Sequence, residues 1–215
     1  MNQKKRLLSL AAGAIVAAGT VASVVLVNQH NEVPAAQATE SQGGQVADVA
    51  AADPQTGAKV YVDSESQVVK ELGESGKLTV QGQKRPSFQI TVNYVQVLKS
   101  CTLRGFGEEI KPVNGHFLLL DVSATLDASA AKAVDAEVVL MPLDASVFGV
   151  SAGENKNVSY ELASIASYSC DVPDALDIAV GAGDTVQGQV MLDSPYDSGQ
   201  VVYDPEKTGG WTWSY

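Results

Sequence analysis

The pentapeptide Gly149–Gly153, GVSAG, has the spacing of a nucleophilic serine motif. In the G-x-S-x-G pattern, a serine lies on a tight turn between a buried strand and a helix, where its hydroxyl can attack a carbonyl carbon. Such a serine needs a histidine as its base and an acid that orients the histidine. Ser151 is therefore the first candidate for chemistry in this chain.

The partners that Ser151 would need are not arranged as the motif requires. The two histidines, His30 and His116, both precede the serine, whereas in this motif the histidine follows it. His116 and Asp121 would suit another triad order, but a separation of five residues on one strand places them on opposite faces. We therefore predict that Ser151 lies in a surface loop, that His116 is structural, and that the protein is not an enzyme.

Clustered carboxylates offer a second kind of chemistry, the binding of a cation. Asp171, Asp174 and Asp177 belong to one loop, and Glu108 and Glu109 are adjacent. The D-x-[DN]-x-[DN]-G pattern of a calcium-binding loop is absent from both segments. We predict solvated loop charges here, with no metal and no cofactor.

Cys101 and Cys170 are the two cysteines of the chain. In an oxidising compartment an isolated pair most simply forms one disulfide, and we favour that bond over two separate buried thiols. Two cysteines without C-x-x-C spacing or a neighbouring histidine do not make a zinc site.

Three aromatic residues alternate in the sequence GWTWSY, so Trp211, Trp213 and Tyr215 belong on one face of a strand. Two interpretations follow from that face. The rings either cover the end of a hydrophobic core or form an interaction surface that stacks on sugar rings or docks a partner. They are the candidate interaction surface of the sequence.

The N-terminal sequence is typical of an export signal. The basic letters KKR precede the uncharged residues 7–27, a length that can span a bilayer. Residues 1–27 are predicted to be either a cleaved signal peptide or a membrane anchor, and both place the body outside the cytoplasm. Residues 28–58, rich in Ala, Gln and Glu, are predicted to be a disordered linker.

The charge of the body limits its partners. Beyond Val27 the chain contains 11 of its 14 basic residues and all 25 acidic residues, which gives a net charge of −14. Such a body repels the phosphate backbone of nucleic acids and anionic membrane surfaces. The expected partner is an unidentified envelope protein or glycan, and the N-terminal segment engages the membrane at least during export.

Alternation of apolar and polar residues dominates the second part of the chain. The clearest strands are predicted at residues 87–94, 115–126 and 184–195. A change of parity at Tyr94 predicts a bulge. Strand 115–126 is apolar on both faces in its first half, which is typical of a central strand that is covered on both sides at one end.

Weaker patterns complete the predicted fold. Further strands are predicted at residues 59–62, 136–143, 157–165, 199–205 and 210–215, and two helical turns within 64–76. Seven or eight strands without a long amphipathic helix predict an all-β protein, an antiparallel sandwich over 86–215 that follows a transition segment at 59–85. A closed barrel would give the same alternation.

Three segments together resemble a known family: FQITVNYVQVL, PVNGHFLLLDVSATLDA, and VGAGDTVQGQVMLDSP followed by VVYDP. They are similar to the immunoglobulin-like domain of unknown function found in lipoproteins and surface proteins of Gram-positive bacteria. The resemblance covers residues 85–206 and is strongest at Gly115–Leu126 and Gly183–Pro195. It implies an immunoglobulin-like sandwich on a tether, and it carries over no catalytic residue. The cysteine pair and the Trp-rich tail depart from the family pattern.

These observations lead to one expectation about function. The protein is an exported cell-surface protein whose immunoglobulin-like domain is a non-catalytic binding or interaction module. A structural envelope protein is the alternative, and an extracytoplasmic serine hydrolase that uses Ser151 is a more distant one.

Overall fold

The computed structural model describes residues 48–52, 59–63, 66–79, 84–133 and 138–215. The predicted export segment, residues 1–27, lies outside these residues, as does most of the predicted linker. Within the described ranges, no helix has the length and apolar character needed to cross a membrane.

Strands are the main regular elements of the described chain. In chain order they are β1 (Asp48–Ala52), β2 (Lys59–Val62), β3 (Val68–Lys70), β4 (Gly76–Leu78), β5 (Phe88–Leu98), β6 (Cys101–Thr102), β7 (Glu109–Ile110), β8 (His116–Leu126), β9 (Leu140–Pro142), β10 (Phe148–Ser151), β11 (Ala179–Gly181), β12 (Thr185–Ser194), β13 (Gln200–Tyr203) and β14 (Trp211–Ser214). The helical elements are α1 (Ser129–Ala133), α2 (Ile165–Ser169) and one 3-10 turn (Ala145–Val147).

Two sheets form the body of the protein. The first has the order β1-β2-β3-β14-β13-β10, and the second has the order β12-β8-β5-β4. Two small ribbons, β6–β7 and β9–β11, lie outside them. Apolar side chains of both sheets meet in one core. The prediction of an all-β sandwich is therefore confirmed, and the described strands form open sheets that do not close into a barrel.

Strand β8 has the central position that its sequence predicts. It pairs with β12 on one side and β5 on the other. Its inward side chains are at most 2% exposed: Leu118, Leu120, Val122, Ala124 and Leu126. Phe117 points to the other face, where it is also fully buried in a second, smaller apolar cluster. The predicted bulge is present too, because the register of β5 against β8 shifts between Val92 and Tyr94.

Aromatic rings connect the two sheets at the centre of the sandwich. The ring of Tyr203, on β13, lies 5.8 Å from Phe88 on β5 and 5.5 Å from Phe148 on β10, measured between centroids. The Tyr203 hydroxyl donates a hydrogen bond to the carbonyl oxygen of Pro142 over 2.9 Å. Burial raises the pKa of Tyr203 above its ordinary value, and the nearby Asp144 carboxylate acts in the same direction.

The segment at 64–76, predicted to hold two helical turns, forms strand β3 and the start of β4 instead. Strand β3 pairs with β14, and β4 pairs with β5. The helical prediction is wrong because tertiary pairing overrides a weak local preference. The β3–β14 pair is also parallel, which corrects the expectation of a wholly antiparallel sandwich. Strands β3 and β4 both precede residue 86, so the two sheets include residues before the boundary that the sequence suggested.

Two other predicted elements differ in the structure. Strand β1 lies within the segment predicted to be disordered. It can form there because main-chain pairing with β2 does not require large side chains. Residues 157–165 do not form a strand. Ser159 makes one isolated bridge with Val150, and Ser164 caps α2 by exchanging hydrogen bonds with Ser167. This capping box turns the chain into a helix where alternation predicted a strand. The strand predicted at 136–143 is reduced to β9.

Candidate functional site

Ser151 is a buried structural residue at the end of β10 and not a loop serine. It is 1% exposed, and its hydroxyl oxygen lies 2.9 Å from the carbonyl oxygen of Gly153 and 3.4 Å from Oε1 of Gln200. Neither contact is a base of the kind that a serine nucleophile uses. The chain after Ser151 turns at Gly153, which has a positive φ of 141°, and the next described helix begins only at Ile165.

The other triad candidates lie on different faces of β8, as expected. His116 is in register with Ser194 on β12, whereas Asp121 is in register with Gln189. Asp121 accepts a hydrogen bond from Nδ2 of Asn93 over 2.6 Å. The structure therefore does not bring His116 and Asp121 together in one site.

The loop carboxylates do not assemble a metal site in the described part of the chain. No group of three or more His, Cys, Asp or Glu side chains there has an arrangement that could hold an ion. The backbone of Asp174 has a structural role, because its carbonyl oxygen accepts a hydrogen bond from the main-chain N–H of Gln189 over 2.6 Å.

The Trp-rich tail belongs to the core of the sandwich. Trp213 is fully buried, and Trp211 and Tyr215 are partly buried against the same core. The ring of Trp211 stacks on Tyr203 with centroids 6.2 Å apart. The three aromatics do share one face, but that face points inward. The hypothesis of an exposed interaction surface at these residues is therefore wrong, and covering of the core is what the structure shows.

The two cysteines are joined, as the sequence predicted. The Sγ atoms of Cys101 and Cys170 are 2.01 Å apart. Arg104 reinforces this connection, because its guanidinium donates a hydrogen bond to the carbonyl oxygen of Cys170 over 3.1 Å. The bond fastens residues 101–110, which contain the β6–β7 ribbon, to residues 164–170, which contain α2. We call these two segments together the disulfide module.

A buried carboxylate fixes the position of the disulfide module on the sandwich. Asp193 is fully buried. Its Oδ2 accepts hydrogen bonds from the N–H of Val113 over 2.8 Å and the hydroxyl of Ser164 over 2.5 Å, and its Oδ1 accepts from the N–H of Asn114 over 2.8 Å. These donors compensate for the removal of the charge from water. They also bring Val113 close to the first turn of α2, where Ile165 follows Ser164.

Four large apolar side chains are exposed on the disulfide module and on the segment that Asp193 binds. They are Phe106 (78%), Val113 (74%), Ile165 (88%) and Tyr168 (59%), which we call the apolar patch. Ile165 and Tyr168 are three residues apart on α2 and so lie on the same side of the helix. Phe106 belongs to the turn between β6 and β7, which the disulfide joins to the end of α2. Exposed apolar surface marks interaction sites, so these four side chains are the candidate interaction site of the domain.

The sequence does not single out the apolar patch. Alternation over 157–165 predicts a strand that includes Ile165, and Phe106 and Tyr168 have no periodic apolar neighbours. The one signal that pointed to this region was the cysteine pair, which indicated that two distant segments meet.

The fold and this site together define an all-β sandwich domain with one disulfide and an exposed apolar patch. No protein-family model matches the sequence, and no curated protein matches it. Among solved structures, the chain is similar to MPT63, a secreted protein from Mycobacterium tuberculosis. The identity is 13% and the TM-score is 0.39, and the match covers 69% of this chain and 98% of that chain. A similarity of this extent assigns neither family nor function.

Proposed function

We propose that this protein is an exported, non-catalytic binding domain that docks a protein of the cell envelope through the apolar patch. The observation that carries the proposal is the 88% exposure of Ile165 on a helix held by a disulfide and by a buried carboxylate. Removal of an apolar side chain from water lowers the free energy. A partner surface would cover Ile165 and its neighbours and so favour the complex.

The bracing of the patch favours binding over a purely structural role. Ordering of loops and side chains opposes association and reduces affinity. In this chain the disulfide and Asp193 already fix the backbone beneath Phe106, Val113 and Ile165. Binding then requires less additional ordering of the backbone, so even a small patch gives a useful affinity.

Export is supported by two features of the chain. The basic letters KKR and the uncharged residues 7–27 have the pattern of a signal peptide or a membrane anchor. The disulfide supports the same location, because cytosolic thiols are kept reduced. The domain would thus act outside the cytoplasm, either secreted or held at the membrane.

The immunoglobulin-like assignment is part of the proposal. It is supported by two packed sheets with non-consecutive neighbours, such as β5 beside β8 and β13 beside β10. The motif resemblance at Gly115–Leu126 and Gly183–Pro195 agrees with it. The non-catalytic role is supported by Ser151, whose hydroxyl contacts an amide oxygen and a main-chain carbonyl oxygen.

Site-specific photo-crosslinking in intact producing cells tests the proposal. The full chain carries p-benzoylphenylalanine in place of Phe106 or, as a control, in place of Leu78. Leu78 is also exposed and apolar, at 41%, but it lies on β4 in register with Phe88, at the other end of the second sheet from Phe117. We expect one discrete crosslinked protein from position 106 and none from position 78.

A matched variant completes the test. Ile165→Ser is introduced into the same chain as the crosslinker at position 106. It removes exposed apolar area without changing the core, and we expect it to abolish the crosslink. Equal crosslinking from positions 106 and 78, or a crosslink that Ile165→Ser leaves unchanged, would contradict docking through the patch.

A further inference from the structure

We propose that the outer face of the second sheet binds a neutral oligosaccharide, with the ring of Tyr94 as the stacking surface. This site is separate from the apolar patch and does not depend on the function proposed above. It consists of side chains on β5, β8 and β12, which we call the polar face: Asn93, Tyr94, Asp121, Ser123, Gln187 and Gln189.

The side chain of Tyr94 lies along the sheet. Tyr94 on β5, Asp121 on β8 and Gln189 on β12 form one register row. The Tyr94 hydroxyl accepts a hydrogen bond from Nε2 of Gln189 over 2.8 Å. Strands are about 4.8 Å apart, so this bond crosses β8 and joins side chains whose strands are separated by roughly 10 Å.

A tyrosine that stood upright on the sheet could not make this bond. The ring therefore extends over β8, and its 41% exposure leaves aromatic surface open to solvent. An aromatic ring with open surface is suited to packing against the apolar face of a sugar ring.

Hydrogen-bonding groups surround the ring. Oδ1 of Asp121 accepts from Nδ2 of Asn93 over 2.6 Å and from Nε2 of Gln187 over 3.4 Å. Its Oδ2 has no hydrogen-bond partner among the described residues, so it can accept from a sugar hydroxyl. Ser123, in register with Gln187, adds a hydroxyl that both donates and accepts. A few fixed polar groups beside an apolar surface are what a small-ligand site requires.

The charge of the polar face selects a neutral ligand. Its six residues include one carboxylate and no basic side chain. Lys77 is on the same outer face of the sheet, but it is in register with Gln89, five residues along β5 from Tyr94. An acidic polysaccharide would find no cation beside Tyr94, and a lipid chain would leave the amides and the carboxylate without hydrogen-bond partners. A neutral oligosaccharide satisfies both requirements.

The binding of the full chain to immobilised neutral hexasaccharides tests the proposal. The probes are hexamers of β-1,4-linked N-acetylglucosamine, β-1,4-linked glucose and α-1,6-linked mannose. We expect saturable binding to at least one of them and a loss of about tenfold in affinity for Tyr94→Ala. Tyr61→Ala, which removes a tyrosine of the same exposure, 41%, from β2 in the first sheet, is the matched control, and we expect it to bind sugar like the unaltered chain.

Two further variants keep the test decisive. Tyr94→Phe keeps the ring but loses the bond to Gln189, so we expect an intermediate affinity. Gln187→Ala changes an exposed side chain, and we expect weaker binding with an unchanged thermal unfolding midpoint. Failure to bind any of the three hexamers, binding that Tyr94→Ala and Gln187→Ala leave unchanged, or tighter binding to polygalacturonate would overturn the proposal. None of these results bears on crosslinking from position 106.

Discussion

The indole nitrogen of Trp213 donates a hydrogen bond to the main-chain carbonyl oxygen of Glu74 over 2.9 Å. The two residues are 139 positions apart in the sequence. This bond joins strand β14 to the turn that precedes β4, and so connects the first sheet to the second. Trp213 thus has a definite structural partner for its single polar atom as well as a core position for its ring.

The first prediction concerns this bond. Trp213→Phe keeps an aromatic ring in the core but leaves the Glu74 carbonyl without its indole donor. We expect the free energy of unfolding to fall by about 1–3 kcal/mol, as measured by urea titration with circular dichroism. Trp211→Phe is the comparison, with a smaller expected loss because stacking on Tyr203 is retained. If Trp213→Phe kept full stability, the hydrogen bond to Glu74 would contribute nothing to the stability of the fold.

The second prediction concerns the disulfide. The double variant Cys101→Ala/Cys170→Ala opens a loop that spans 69 residues of sequence separation. The loop-entropy model gives a loss of about 4 kcal/mol in the free energy of unfolding. Urea titration of the variant measures it, and the unaltered chain reduced by dithiothreitol provides an independent control. A loss below about 1 kcal/mol would show that the disulfide module is held mainly by other contacts.

The third prediction concerns Asp193. Asp193→Asn preserves the shape of the side chain, but its amide can no longer accept from Val113, Asn114 and Ser164 together. We expect a loss of about 1.5–3 kcal/mol in the free energy of unfolding, since the lost bonds are to a charged group. Asp197→Asn, at an exposed position four residues along, should change it little. Equal effects of the two changes would argue against a special role for the buried carboxylate.

The fourth prediction is a dependence of stability on alkaline pH. The pKa of Tyr203 is raised by burial, so the folded state keeps its phenolic proton at pH values where the unfolded state, with an ordinary pKa near 10, has lost it. The unfolded state therefore gains stability as the pH rises above about 10, and the free energy of unfolding falls. Burial also raises the pKa of Tyr215, which acts in the same direction.

Absorbance at 295 nm reports this difference directly. In the folded protein, the phenolate signal of Tyr203 should be missing from the titration of the exposed tyrosines, and it should be recovered in urea. Tyr203→Phe should show a shallower decline of stability between pH 9 and pH 11. A Tyr203 that ionised together with the exposed tyrosines would contradict its burial.

Periodicity predicted the parts of the fold in which neighbours along the chain determine the outcome. The inward face of β8, its central position and the bulge beside Tyr94 all follow from where apolar residues occur in the sequence. The cysteine pair indicated the disulfide. Predicting these features requires only the local spacing of residues along the chain and the assumption of an oxidising compartment.

The remaining features depend on contacts between distant residues. The alternation of Trp211 and Trp213 placed both on one face, but it could not show whether that face meets the core or solvent. Ile165 belongs to an alternating run that predicts a strand, so the sequence does not predict its exposure. That exposure depends on the helix that Ser164 caps and on the disulfide between Cys101 and Cys170. The polar face likewise depends on Gln189 reaching Tyr94 from two strands away.

The parallel pairing of β14 with β3 affects the order in which the protein can be assembled. Strand β14 lies between β3 and β13, so β3 lacks this neighbour until the chain around residue 211 is present. A chain that leaves a ribosome or a translocation channel N-terminus first exposes the edge of β3 throughout that interval. Exposed strand edges are templates for aggregation. Until β14 has been synthesised, the edge of β3 therefore stays exposed, and a chaperone that covers it would protect the chain from aggregation.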